Sequence, residues 1–225
     1  MSNVNDILAV PLDLPRFEPD SWETFWKIWE EDAMQFLRLK PDAQGNNAKE
    51  PGWNGLVWDF FRPDLKDSFT MFKTTVKDYS DVFPRWRESM ERNFPFRIRR
   101  ISFLNNYREI GPHKDGLILT DHLPYAAAVR ILLVDDNKVP TFWFSKEQSV
   151  KSDRFYMDLP PETNTFVYNN PKIYHAADHH GKRKILMMLI FDQIDEKKWV
   201  DLLSRSRDRW PERTWVDQRP VGDIT

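Results

Sequence analysis

The chain of 225 residues has no cysteine, 33 Lys and Arg against 35 Asp and Glu, and a formal net charge of −2. These numbers exclude disulfides, zinc–thiolate centres, iron–sulfur clusters and thiol nucleophiles, and they give no bulk drive toward nucleic acid or an anionic membrane. With 40% hydrophobic and 30% charged residues, 10 Trp and 16 Phe, the composition is that of a globular protein with a bulky aromatic core.

No stretch approaches the ~18 consecutive apolar residues of a membrane span. Residues 1–17 show no basic segment leading into an apolar one, so the expectation is a cytoplasmic protein with neither membrane nor nucleic-acid partner. Residues 1–19, with Pro11, Pro15 and Pro19, read as an extended lead-in. A helix is expected from Asp20, with Glu23 three residues on as a capping box. Trp22, Phe25, Trp26, Trp29, Ala33, Phe36 and Leu37 share one helical face, suited to packing on a sheet.

Residues 41–55 are loop-like around Gly45-Asn46-Asn47, and the apolar stretches at Trp53 and at Trp58-Asp59-Phe60-Phe61 carry no clear period. Residues 78–93 form a second expected helix, with Val82, Trp86, Met90 and Phe94 at spacings of four. From Pro95 the period changes. Phe96 and Ile98 alternate with Arg97 and Arg99, and then Ile101 and Phe103 continue on the other phase, which suggests a bulge or a strand covered on both faces. Arg97, Arg99 and Arg100 read as a solvated face.

Further β-like runs follow at 126–134, 141–144, 154–159, 163–168 and 184–191. They are separated by the turn signals Asp135-Asp136-Asn137-Lys138, Pro160-Pro161 and Asn169-Asn170-Pro171. Short strands without intervening helices predict a mainly β fold with flanking helices, a sandwich or barrel rather than βαβ units. A last helix begins near Asp195 and buries Trp199, Leu202 and Leu203. The expected division is a helical extension over 1–94, a β core over 95–192 and a helix and tail over 193–225, all in one structural domain.

The chemistry concentrates at Gly111-Pro112-His113-Lys114-Asp115-Gly116. In an extended segment His113 and Asp115 point to the same face, about 6.5–7 Å apart. Two histidines and one carboxylate on one face of an ion, with the opposite positions open, suit non-haem Fe(II). The second histidine must come from His122, His175, His179 or His180. His175 follows the turn at Asn169-Asn170-Pro171 and precedes the last β run. It stands 60 residues after Asp115, room enough for the strands of a double-stranded β-helix that returns beside His113. His179 and His180 precede Gly181-Lys182, an expected hairpin tip, and His122 beside Leu123-Pro124 reads as a loop residue. His113, Asp115 and His175 are therefore the expected metal ligands and catalytic centre.

With an arginine opening the next strand, this pattern resembles the 2-oxoglutarate and Fe(II)-dependent oxygenases. Phe103-Leu104-Asn105-Asn106-Tyr107 leading to Gly111-Pro112-His113-Lys114-Asp115 is similar to the aspartyl/asparaginyl β-hydroxylase and free-proline hydroxylase group, over roughly residues 96–192. The resemblance implies a jelly-roll or cupin-like double-stranded β-helix, Fe(II), 2-oxoglutarate as cosubstrate and O2. It implies hydroxylation of an amino acid, peptide or similar polar small molecule, with release of succinate and CO2. A carboxylate at Asp115, where halogenating relatives carry a small residue, favours hydroxylation.

The far carboxylate of the cosubstrate needs a cation, and Arg183 is the first choice because guanidinium pairs with carboxylate in bidentate fashion. Were Arg183 to face inward, Ile185, Met187 and Leu189 would form an apolar wall beside the cosubstrate and Lys184 would face away. Arg183 follows His175 by 8 residues, shorter than the family's usual gap, and it could equally belong to a surface Lys-Arg-Lys cluster; Arg130 is the second candidate. Asn105 and Tyr107 are candidate partners for the cosubstrate, with a structural turn at Asn105-Asn106 as the alternative. Two other readings stand beside this one: a cupin-like metalloenzyme that does not use 2-oxoglutarate, and a non-catalytic β-sandwich module binding a partner through the aromatic N-terminal helices.

Overall fold

The computed structural model describes residues 4–39, 53–59, 77–78, 82–106, 110–114, 127–137, 139–148, 153–178, 182 and 184–217. Its first strands are β1 (Ile7–Pro11), β2 (Trp53–Asp59), β3 (Lys77–Asp78) and β4 (Arg97–Asn106). There follow β5 (Ile110–His113), β6 (Ala127–Asp135), β7 (Phe142–Ser145) and β8 (Phe155–Tyr156). The last are β9 (Thr165–Asn169), β10 (Tyr174–Ala177), β11 (Lys184–Asp192) and β12 (Trp215–Val216). Three helices flank them: α1 (Trp22–Leu39), α2 (Pro84–Asn93) and α3 (Glu196–Arg209).

The strands form two sheets, in the orders β12-β1-β9-β6-β11-β4-β2-β3 and β5-β10-β7-β8. The eight successive strands β4 to β11 are divided four and four between them, each sheet taking strands far apart in sequence. That antiparallel interleaving is a jelly roll, the mainly β architecture expected from the sequence.

Two apolar layers hold the sheets. One lies between the large sheet and the helices, where Val129, Ile131, Leu133, Ile185, Met187 and Leu189 meet Phe25, Trp29, Trp86, Met90, Trp199 and Leu203. The other lies between the sheets and contains Ala128, Phe142, Phe144, Phe166, Tyr168, Ala177 and Leu186. Strand parity sorts the layers: Val129, Ile131, Leu133, Ile185, Met187 and Leu189 face the helices, Ala128, Leu132 and Leu186 face the small sheet, and Val134, beyond a register shift, packs with the helix layer. The expected apolar wall at Ile185, Met187 and Leu189 is therefore corrected. Those residues pack against the helices, whereas Lys184, expected to face away, is 2% exposed and holds its ammonium 4.5 Å from the centre of the Phe142 ring.

The change of phase in β4 is a bulge. Against β11, Arg100 lies opposite Ile190 but Ile98 lies opposite Phe191, so Ile98 and Ile101, three apart, enter the same layer. The lead-in is more than an extended approach. β1 is buried throughout and pairs with β9 on one side and β12 on the other. The untyped stretch at Trp53 is strand β2, paired with β4.

The expected capping box is also corrected. Ser21 Oγ accepts from the Thr24 amide at the start of α1, while Asp20 serves the other helix. Its Oδ2 accepts from the Arg85 amide at 3.0 Å and its Oδ1 from the Trp86 amide at 2.7 Å. The second helix begins at Pro84 rather than at 78, because proline needs no acceptor at the first helical position. Val82 consequently stays exposed, while Trp86 and Met90 are buried. Asp20→Ala removes the side-chain cap of α2, and should lower stability by about 1–2 kcal/mol in urea unfolding. The side chains of Ala33, Phe36 and Leu37 lie outside the described residues, and no described helix is long and apolar enough to cross a membrane.

Candidate metal and carboxylate site

β5 and β10 are antiparallel neighbours, and His113 and His175 are register partners. Their rings are 4.2 Å apart between centroids at an interplanar angle of 51°. Both belong to the inner face of the small sheet. His175 is opposite Phe144 on β7 and lies 4.8 Å from the Tyr168 ring, which reaches across from the large sheet. The pair is thus built by pairing across the jelly roll, between positions 62 residues apart in sequence.

The chemistry of this pair suits a metal ion. His113 Nδ1 is 2.8 Å from the Gly111 carbonyl oxygen. A carbonyl can only accept, so Nδ1 carries the proton and Nε2 presents its lone pair. An ion about 2.1 Å from one nitrogen of each ring brings two cis imidazoles to centroid separations of about 4–5 Å. The end of β5 is also tied down: Lys114 donates to the Pro171 carbonyl oxygen at 2.9 Å and lies over the Tyr174 ring. Among the described residues no group of three or more His, Asp and Glu side chains is gathered as an ion site. Asp115 lies outside the described residues, as do Tyr107, Arg183, His122, His179 and His180.

Among the described residues, Arg130 is a buried cation linked to His175 through the Tyr168 ring, which contacts both. It occupies an even position of β6, opposite Phe166 on β9 and Met188 on β11, and is 4% exposed. Its guanidinium carbon lies 5.4 Å from the centre of the Tyr168 ring, and Nη1 donates to the Val129 carbonyl oxygen. Tyr168 thus stands between the arginine and His175. Its register neighbours are Ala9 and Ala128, whose small side chains leave room beside the ring. Asn105 is the penultimate residue of β4, opposite Ile185 and Asn54. It is strand backbone there, not a turn.

Lys184 is the second buried cation in this layer. Burial lowers its pKa from 10.5 to about 8, while Asp135 and Asp178 pull the other way. Its Nζ donates to the Asp178 carbonyl oxygen at 3.1 Å. Sequence reasoning missed Lys184, Tyr168 and Asp178. Lys184 did leave a signal, as the lysine opening a strand that is otherwise apolar up to Asp192.

No family model matches the chain, and no curated protein matches it. Among solved structures it is similar to the crystal structure of an oxidoreductase of the 2OG-Fe(II) oxygenase family from Burkholderia pseudomallei. That similarity has 16% identity and a TM-score of 0.31, over 43% of this chain and 43% of the other. The match spans less than half of either protein. At that score the likeness bears on neither the reaction nor the residues.

Proposed function

We propose that this chain is an Fe(II)- and 2-oxoglutarate-dependent dioxygenase that hydroxylates an amino acid, peptide or similarly polar small molecule. The observation that carries the reading is the His113–His175 pair, in register on two neighbouring strands and turned toward the inter-sheet space. With Asp115 as third ligand, the donor set is two imidazoles and one carboxylate. With O2 as the oxidant, bound iron would supply the oxidative decarboxylation of 2-oxoglutarate to succinate and CO2, one oxygen atom going to succinate and the other to the hydroxylated substrate.

The chain's own residues supply placement. His113 and His175 would hold the metal ion through their imidazoles, and the Gly111 carbonyl keeps His113 in the tautomer that can ligate. Arg130 binds the far carboxylate of the cosubstrate. It is held between the sheets beside Tyr168, where the charge-assisted pair is shielded from water. Lys184 suits that task less well, because Asp135 and Asp178 already surround its ammonium with negative charge. The phenyl rings of Phe142, Phe144 and Phe166 keep water from the space between.

Anaerobic Fe(II) plus 2-oxoglutarate should give the purified protein a visible charge-transfer absorption. A succinate-release screen over amino acids, peptides and nucleotides should then identify the substrate. A protein that stays colourless with both ligands in excess, and releases no succinate, is not a 2-oxoglutarate oxygenase. Binding metal without consuming 2-oxoglutarate would select the cupin-like alternative. Arg130→Met should weaken 2-oxoglutarate by about 30-fold or more, the effect of removing one partner of a buried charge pair. Its Co(II) affinity should be unchanged, as read by metal titration.

A further inference from the structure

We propose that Asp178 is the positioning residue for His175, acting by setting the register of the strand that carries it. The inference rests on the reading of His113 and His175 as metal ligands. β10 has only four residues, and a slip of one residue would turn His175 from the inner to the outer face of the sheet. Its neighbour β5 specifies the register poorly. Pro112 has no N–H to give the ladder, and the pairing with β10 shifts between His175 and Ala177. Ala176 and Ala177 contribute little side-chain selectivity of their own.

Asp178, the next residue, holds the strand through five partners. Its Oδ1 accepts from the Trp143 indole at 2.8 Å, and its Oδ2 accepts from the Tyr156 hydroxyl at 2.7 Å. Arg154 pairs with the carboxylate at 3.6 Å while its guanidinium lies 3.9 Å over the Trp143 ring. The Asp178 amide donates to the Thr141 carbonyl oxygen, and its own carbonyl accepts from Lys184 Nζ. Trp143 is the register partner of Ala176, so the indole reaches Asp178 along the outer face in this register. A one-residue slip would withdraw the carboxylate from the indole and bring His175 onto the tryptophan's side. A fixed polar group used to specify strand register is the sheet counterpart of a buried asparagine that fixes coiled-coil register.

The test uses the full chain with three variants, Asp178→Ala, Asp178→Asn and Tyr156→Phe. Asp20→Ala, a capping variant on another element, serves as a stability control. Two quantities are read: Co(II) affinity by visible titration, and the imidazole-to-imidazole NMR cross-peak of His113 and His175 in the metal-free protein. Asp178→Ala should weaken Co(II) by about 10- to 100-fold, the usual loss when a group supporting a ligand is removed, and should lose the cross-peak. Asp178→Asn, which keeps an acceptor for Trp143, should recover most of the affinity. Tyr156→Phe should fall between Asp178→Ala and wild type, and Asp20→Ala should bind Co(II) as the wild type does. Wild-type affinity and an intact cross-peak in both Asp178→Ala and Tyr156→Phe would overturn the proposal, as would equal weakening in Asp20→Ala. If the wild type binds no Co(II), the metal reading fails, and the cross-peak alone decides the role of Asp178.

Discussion

His113→Ala and His175→Ala should each abolish the charge-transfer absorption and succinate release, and should weaken Co(II) by well over 10²-fold, beyond the effect of losing a supporting group. His122→Ala, His179→Ala and His180→Ala should leave all three readouts near wild type. The argument is geometric. His113 and His175 are opposite one another on adjacent strands with rings 4.2 Å apart, so either alone offers one imidazole where the ion needs two. His113 is half-exposed at the end of β5, and His175 projects from a strand packed between two neighbours. Truncation at either position removes a ligand without opening the main core, and the thermal midpoint should move by no more than a few degrees. Asp115→Ala should match the histidine variants in metal affinity if it completes the donor set. A protein that keeps its colour in His175→Ala but loses it in His179→Ala or His180→Ala would move the second ligand into the β10–β11 connection.

Much of this arrangement was legible because jelly-roll strands write their burial pattern into the sequence. The runs at 126–134, 141–144, 163–168 and 184–191 lie within a few residues of β6, β7, β9 and β11. The phase slip between Ile98 and Ile101 located the bulge in β4. The distance from the His113 stretch to His175 was readable as a return to a neighbouring strand, because jelly-roll pairing places β10 beside β5 although four strands separate them in sequence.

What was not legible depends on partners remote in sequence. β1 read as a proline-punctuated lead-in because nothing local shows that β9 and β12 will pair with it. Asp20 looked like the cap of the helix it precedes, yet it caps a helix 65 residues on. Which face of β11 meets the helices could not be read from alternation. The strand is buried on both sides, so its sequence is apolar at every position from Ile185 to Phe191. Choosing the wrong face exchanged the roles of Ile185 and Lys184. Alternation did not give the face of Arg130 either; its parity on β6 places it with Ala128 and Leu132 toward the small sheet.

Lys184→Met should stabilise the protein by about 2 kcal/mol at pH 7 and abolish a rise in stability at alkaline pH. Burial lowers the lysine from 10.5 to about 8 in the folded chain, and one pKa unit corresponds to about 1.4 kcal/mol. The folded state therefore carries a cost of about 3 kcal/mol while the amine is charged. From this about 1 kcal/mol is subtracted for the hydrogen bond to the Asp178 carbonyl that methionine cannot make. The sign follows from proton counts. Between pH 8 and 10.5 the unfolded chain binds more protons than the folded one at this site, so wild-type stability should climb with pH through that window; below pH 8 both states are protonated and the full cost is in place. Urea unfolding of wild type and Lys184→Met at pH 7, 8.5 and 10 measures both effects, and the two curves should converge as pH rises. A lysine retained between two sheets against this cost is doing more than filling space. Its bond to Asp178 ties the first residue of β11 to the end of β10, so the stabilised variant should lose part of its Co(II) affinity even as its melting temperature rises. If Lys184→Met is instead destabilised at pH 7, the ammonium is better compensated by Asp135 and Asp178 than its lowered pKa implies.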